Sequence, residues 1–277
     1  MTPDEYCQQR AASSGSSFYY SFLFLEPERR RAITALYAFC REVDDVVDEC
    51  SDPGLARGKL AWWRNEVAAL YAGKPGHPVT QALAGALQKF NLPFEQLIEI
   101  IEGMEMDLNQ TRYLDYQALH LYCYRVASVV GLLAAEIFGY QDPQTLKYAH
   151  DLGLAFQLTN IIRDVGEDAR RGRVYLPLDE LKRFEVPLVD ILNYKYSDNF
   201  RCLMEFQIER AEQTYAQALA QLPQCDRKAQ RAGLMMAAIY RSLLEEIKRD
   251  GCLVLDRRTS LTPLRKLWVA WRTWLRT

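Results

Sequence analysis

Apolar residues recur every three or four positions through most of the chain, and alternating Val/Ile/Thr runs bounded by turns are missing. A strand needs a period of two and a helix a period near 3.6, so helix follows helix and the fold class is all-α. Pro/Gly/Asp clusters interrupt the pattern at 51–54, 73–78, 91–93, 141–143, 172–177, 186–187 and 221–226. Each is short enough to be a turn between antiparallel neighbours, which predicts a single domain over 1–277 with about eight to ten helices. At 49% hydrophobic residues the chain has ample material for a buried core. The longest apolar stretch, 126–140, is broken by Ser128 and Glu136 and falls short of the roughly 20 residues needed to cross a bilayer, so no transmembrane helix is expected.

Thirty-four Lys and Arg stand against 36 Asp and Glu, a net charge of -2, so no global field draws the protein onto nucleic acid. Any work done by charge is local. The seven cysteines are scattered, with no C-x-x-C pair, and read as reduced, buried thiols of a cytoplasmic protein. The polar N-terminus, MTPDEYCQQRAASSG, lacks the basic start and apolar core of a secretion signal.

Local charge is concentrated in two places. The first is D-D-V-V-D, with Asp44, Asp45 and Asp48 at the end of a helix that starts near Pro27. At about 100° per residue, Ile33, Tyr37, Cys40, Arg41, Asp44 and Asp48 fall on one stripe. The second is D-V-G-E-D, where Gly153, Gln157, Asn160, Ile161, Asp164 and Asp168 share a stripe while Leu152, Phe156, Leu158 and Ile162 fill the other faces. A helix apolar nearly all round is buried, so its one polar stripe must line a cavity. Either cluster alone reads equally as a solvated acidic helix end. Two clusters with the same i, i+4 spacing on inward stripes call for a cation, because like charges at that spacing repel and are costly to remove from water.

Oxygen-rich carboxylate sites suit hard Mg²⁺, with Mn²⁺ as an alternative, held jointly by a few carboxylates and a substrate phosphate. A diphosphate then needs further cations. Arg170, Arg171 and Arg173 follow the second cluster, and Arg41 and Arg163 are near; Arg41 and Arg173 are the strongest candidates for gripping phosphate oxygens.

At this point the chain resembles a family, the squalene and phytoene synthases of the trans-prenyltransferase superfamily. The matching segments are SSFY at 16–19, LYAFCREVDDVVDE at 36–49, YCYRVASVVG at 122–131 and AFQLTNIIRDVGEDARRGRVYLP at 155–177. The resemblance implies a helical isoprenoid synthase fold around a deep central cavity, with Asp44, Asp48, Asp164 and Asp168 binding Mg²⁺. It further implies Gln157 and Asn160 as metal or diphosphate ligands, Arg41, Arg173 and Tyr175 on diphosphate oxygens, and Ser17, Phe18, Tyr37 and Tyr122 against substrate. Tyr122 would aid proton removal or stabilise a cation, or would equally be a core tyrosine with one hydrogen bond. Val126 and Val130 follow Tyr122 at i+4 and i+8 and would line a channel for the isoprenoid tail, beside small residues that serve close helix packing just as well.

The implied activity is head-to-head condensation of two prenyl diphosphates. The run RVASVVGLLAAEIFGY most resembles hopanoid-pathway enzymes that make presqualene diphosphate from two farnesyl diphosphates, a step expected to need no NADPH. The alternatives are phytoene synthesis from two geranylgeranyl diphosphates, or dehydrosqualene or squalene synthesis. Downstream isoprenoid enzymes are the expected partners. A di-iron bundle would require Glu-x-x-His pairs, but Lys74, Gln117 and Lys147 stand three residues before His77, His120 and His150. A non-catalytic scaffold leaves the paired inward aspartates unexplained. Last, 261–277 carries Leu264, Leu267, Trp268, Trp271 and Leu275 on one stripe flanked by Arg265, Arg272 and Arg276. It reads as an interfacial helix that makes peripheral contact with the cytoplasmic membrane, or equally as a helix packed on the core.

Overall fold

A computed structural model describes residues 1–13, 21–50 and 52–277. In chain order the helices are α1 (Pro3–Ser13), α2 (Pro27–Asp48), α3 (Pro53–Tyr71), α4 (Pro78–Leu87), α5 (Phe94–Asn109), α6 (Tyr116–Cys123), α7 (Val129–Phe138), α8 (Gln144–Arg170), α9 (Leu178–Arg183), α10 (Leu188–Leu192), α11 (Asp198–Gln221), α12 (Arg231–Arg249) and α13 (Pro263–Trp274). The helices outnumber the eight to ten expected because α9 and α10 are short pieces that a pattern search cannot see, and α6 and α7 run on as one rod. Among the described residues there is no strand, only an isolated bridge between Arg112 and Val174.

The turns lie where the Pro/Gly/Asp clusters predicted, and the local chemistry explains why. Proline opens α2, α3, α4 and α13, where a missing N–H costs nothing. Asp52 caps α3 by accepting from Gly54 N and Leu55 N, and Asp115 caps α6 by accepting from Ala118 N at 2.8 Å.

Helix α8 is the central element. It packs along α11 and also touches α7 and α12. Leu152, Ala155, Phe156, Leu158 and Ile162 are buried on its several faces, as the apolar pattern demanded. Two glycines bring the neighbouring backbone close. A Cβ at Gly131 would lie 2.3 Å from Ala149 O, and one at Gly153 would lie 2.5 Å from Ala127 O. Any side chain there would push α7 off α8.

Between α6 and α7 the chain runs on through a wide π-helical turn, Tyr124–Ser128, so Tyr116–Phe138 forms one apolar rod of 23 residues. That is longer than the sequence suggested, and long enough by length and composition to span a bilayer. Here it is a core element, with Leu119, Tyr122, Cys123, Val129, Leu133 and Ile137 buried by α5 and α8. All seven cysteines are free, but only Cys7, Cys123 and Cys252 are fully buried; Cys202 and Cys225 are exposed, contrary to expectation.

Candidate active site

Helices α2 and α8 end beside the same cavity, about 510 Å³ in volume, and present their acidic stripes to it. Asp44 and Asp48 sit in the last turns of α2, and Asp164, Glu167 and Asp168 in the last turns of α8. Carboxylates at a helix C-terminus oppose the macrodipole, so each cluster adds dipolar repulsion to its mutual repulsion. Such an arrangement persists only where cations answer it.

In this structure arginines do so. Arg41 donates to Asp44 at 2.7 Å and to Asp45 at 2.6 Å, and Arg10 also holds Asp45, which is turned away from the cavity. Arg173 meets Asp48 at 2.8 Å and Val47 O at 3.3 Å, while Arg171 reaches the second oxygen of Asp48 at 2.5 Å. Arg163 and Arg258 both bind Asp164, at 2.7 and 2.8 Å. Arg170 points elsewhere, over the Tyr194 ring.

Asp168 has no ion-pair partner among the described residues. Burial, then the charges of Asp164, Asp107 and Asp48, push its carboxyl up to about 8. Asp44 is pushed up to about 7 by burial and then by Asp48, against the pull of Arg41. Beside them the Oδ1 of Asn160 is buried and accepts no hydrogen bond, while its Nδ2 donates to Gln157 Oε1 at 3.3 Å. Under-compensated carboxylates and an orphaned amide oxygen are the donor set a hard divalent cation takes. Among the described residues no three acids are gathered at ligating distance, and arginines hold Asp44, Asp48 and Asp164.

Tyr37, Arg41, Tyr122, Val126, Gln157, Asn160, Arg173 and Tyr175 line the cavity together with the four aspartates. Val130 does not. It packs, partly buried, against the core, because the wide turn at Tyr124–Ser128 breaks the four-residue stacking on Val126. Ser17 and Phe18 lie outside the described residues.

One acid in the wall was missed. Asp107, on α5 and only 8% exposed, accepts the phenol of Tyr122 at 3.0 Å and that of Tyr175 at 2.8 Å. The two rings stack at 5.1 Å. Burial pushes Asp107 up to about 6, against Arg173 and the phenols, and burial with the neighbouring Tyr175 holds Tyr122 well above the ordinary phenol value. The signal existed: Ile100, Met104 and Asp107 follow i, i+4, i+7, the stripe rule that found Asp44. Arg258 and Lys266, which close the cavity from the C-terminal segment, belong to no periodic pattern that would have marked them.

Comparison with known proteins gives the family of the chain. A family model described as Squalene/phytoene synthase matches residues 11–265. The phytoene synthase of Arthrospira platensis is 37% identical over 95% of this chain and 89% of its own. The 15-cis-phytoene synthase of Synechocystis is 34% identical over 98% and 84%. The chain spans 63% of the longer chloroplastic phytoene synthase of Narcissus pseudonarcissus. Among solved structures, a dehydrosqualene synthase in complex with ligand superposes with a TM-score of 0.89 at 27% identity, covering 98% of this chain and 95% of that one. Squalene synthase HpnC from Alicyclobacillus acidocaldarius gives 0.79 at 28%, covering 90% and 94%.

Proposed function

We propose, since this chain belongs to the squalene/phytoene synthase family, that it joins two farnesyl diphosphates head to head into presqualene diphosphate, releasing one diphosphate. The observation that carries this reading is that the acidic ends of two helices line one cavity together with a buried carboxylate and two phenols. The resemblance of the 125–140 segment to hopanoid-pathway enzymes favours the C15 substrate. A second reading, phytoene formation from two geranylgeranyl diphosphates, is favoured by the names of the relatives at 34 and 37% identity.

In this reading Asp44, Asp48, Asp164 and Asp168, with Asn160, hold Mg²⁺. Bound Mg²⁺ neutralises the diphosphate and makes it a better leaving group. The chain's own residues supply the rest. Arg41, Arg171 and Arg173 turn from the carboxylates they hold to phosphate oxygens, which their planar forks match. Tyr122 and Tyr175 present ring faces to the allylic cation. Asp107 fixes both phenols and stands within a proton's reach of Tyr122, so a proton lost as the cyclopropane closes has an acceptor chain into the wall. Tyr37 and Val126 contribute apolar surface to the tails. No reductant enters this scheme, so NADPH is not required. Seven free cysteines fit action in the reducing cytoplasm.

Incubation with farnesyl or geranylgeranyl diphosphate and Mg²⁺ alone tests the choice of substrate. A C30 cyclopropyl diphosphate is expected from the former. Phytoene from the latter, with farnesyl diphosphate inert, would replace this reading by the second.

A further inference from the structure

Helix α13 shows two different faces. Its inner side docks through buried Val269 and Ala270, and Lys266 lines the active-site cavity. The stripe of Leu264, Trp268 and Trp271 points the other way and is 80, 53 and 51% exposed, so it does not pack on the core. Phe24, also exposed, extends this surface, since its ring lies 6.3 Å from that of Trp274. A monomer rarely leaves so many large apolar side chains together in water.

We infer that this face lies in the headgroup–acyl boundary of an anionic bilayer. Charge argues for that occupant. The segment 257–277 holds six Lys and Arg and no acid. Arg257 and Arg265 are balanced by Asp250, just past α12, and by Glu246 of α12, but Arg272 on α13 and Arg276 just beyond its end stand exposed beside the tryptophans. Arg272 lies over the Trp268 ring at 5.2 Å, with its charged end beside an aromatic that prefers the interface. Exposed tryptophans on one face, arginines beside them and no carboxylate make a lipid-facing helix, whereas a surface that pairs with a second copy of itself would set like charge against like.

The position of the face adds a consequence that rests on the proposed function. Because Lys266 and the strap at 258–261 wall the cavity, membrane contact through α13 sets the site beside the bilayer, where an isoprenoid product of very low solubility can leave.

Co-sedimentation with vesicles of phosphatidylglycerol and phosphatidylcholine, without substrate, tests the surface separately from the reaction. Intact protein should bind these vesicles and leave pure phosphatidylcholine largely unbound. Trp268→Ser with Trp271→Ser should lower affinity by about tenfold or more. Arg272→Glu should lower it by about fivefold or more, less so in high salt. These exposed side chains line no cavity, so turnover in detergent should stay at the wild-type level and report intact folding. Equal vesicle binding by wild type and the tryptophan variant, or no binding by wild type at low salt, overturns the inference. So does a dimer in sedimentation velocity that the tryptophan substitutions dissociate while vesicle binding is absent.

Discussion

Arg173 Nη1 lies 2.8 Å from Asp48 Oδ1, so a residue of the loop after the second aspartate helix holds the last aspartate of the first. The same guanidinium also reaches Val47 O. In the absence of substrate this bridge ties the ends of α2 and α8 together, and it occupies a fork suited to phosphate.

Arg173→Gln should therefore weaken binding of inorganic diphosphate and of substrate by about tenfold to a hundredfold, the worth of a charge-assisted hydrogen bond. Calorimetric titration with diphosphate and Mg²⁺ measures it. Unchanged affinity would mean that Arg173 serves the fold only.

Asp48→Asn and Asp164→Asn should lose about a hundredfold or more in turnover. Both variants should still fold, because asparagine keeps the shape of the side chain, but each should melt below wild type, since Asp48 loses its pairs with Arg171 and Arg173 and Asp164 its pairs with Arg163 and Arg258. Near wild-type turnover of either variant at limiting Mg²⁺ would remove these residues from the metal site.

Asp107 gives a pH dependence. Its carboxyl titrates at about 6 in the folded protein, above the ordinary aspartate value. Folding penalises the charged form, so the penalty is complete above about pH 6 and relieved toward about pH 4. Wild type should gain stability relative to Asp107→Asn as pH falls through that window. Turnover should fall over the same range, as the acceptor of the two phenols becomes protonated. A rate profile flat to below about pH 5 would detach Asp107 from the reaction.

Gly166 supports the strap that carries Arg258. Its N–H donates to Val254 O at 3.1 Å, and a Cβ there would sit 1.9 Å from Leu255 O. Gly166→Ala should cost about 1–3 kcal/mol in unfolding titrations, as overpacking does, and should lower turnover as Arg258 leaves Asp164. A variant as stable and active as wild type would show that the strap adjusts freely.

The fold class was legible because helical periodicity is written into nearly every segment, and α2 begins and ends where Pro27 and the aspartates foretold. The two acidic stripes were legible for the same reason. Asp107 obeyed the identical rule, but its helix also carries Glu95, Glu99, Glu102 and Glu105, so one aspartate on the stripe did not stand out from the other acids. Val130 was misjudged because a π-helical turn widens the register and nothing in YRVAS announces one. The α13 stripe was visible, but amphipathicity gives a face without saying whether protein or solvent covers it. Only the burial of Val269 and Ala270 decided that.

The central claim is that this cavity ionises one farnesyl diphosphate and joins it to a second. The amount of diphosphate released for each farnesyl diphosphate consumed, measured with Mg²⁺ and with a chelator, tests it directly. The account predicts Mg²⁺-dependent release of half a diphosphate per substrate, with all the carbon in a C30 diphosphate. Release of a full equivalent with farnesol as the organic product, or release unaffected by the chelator, would contradict it.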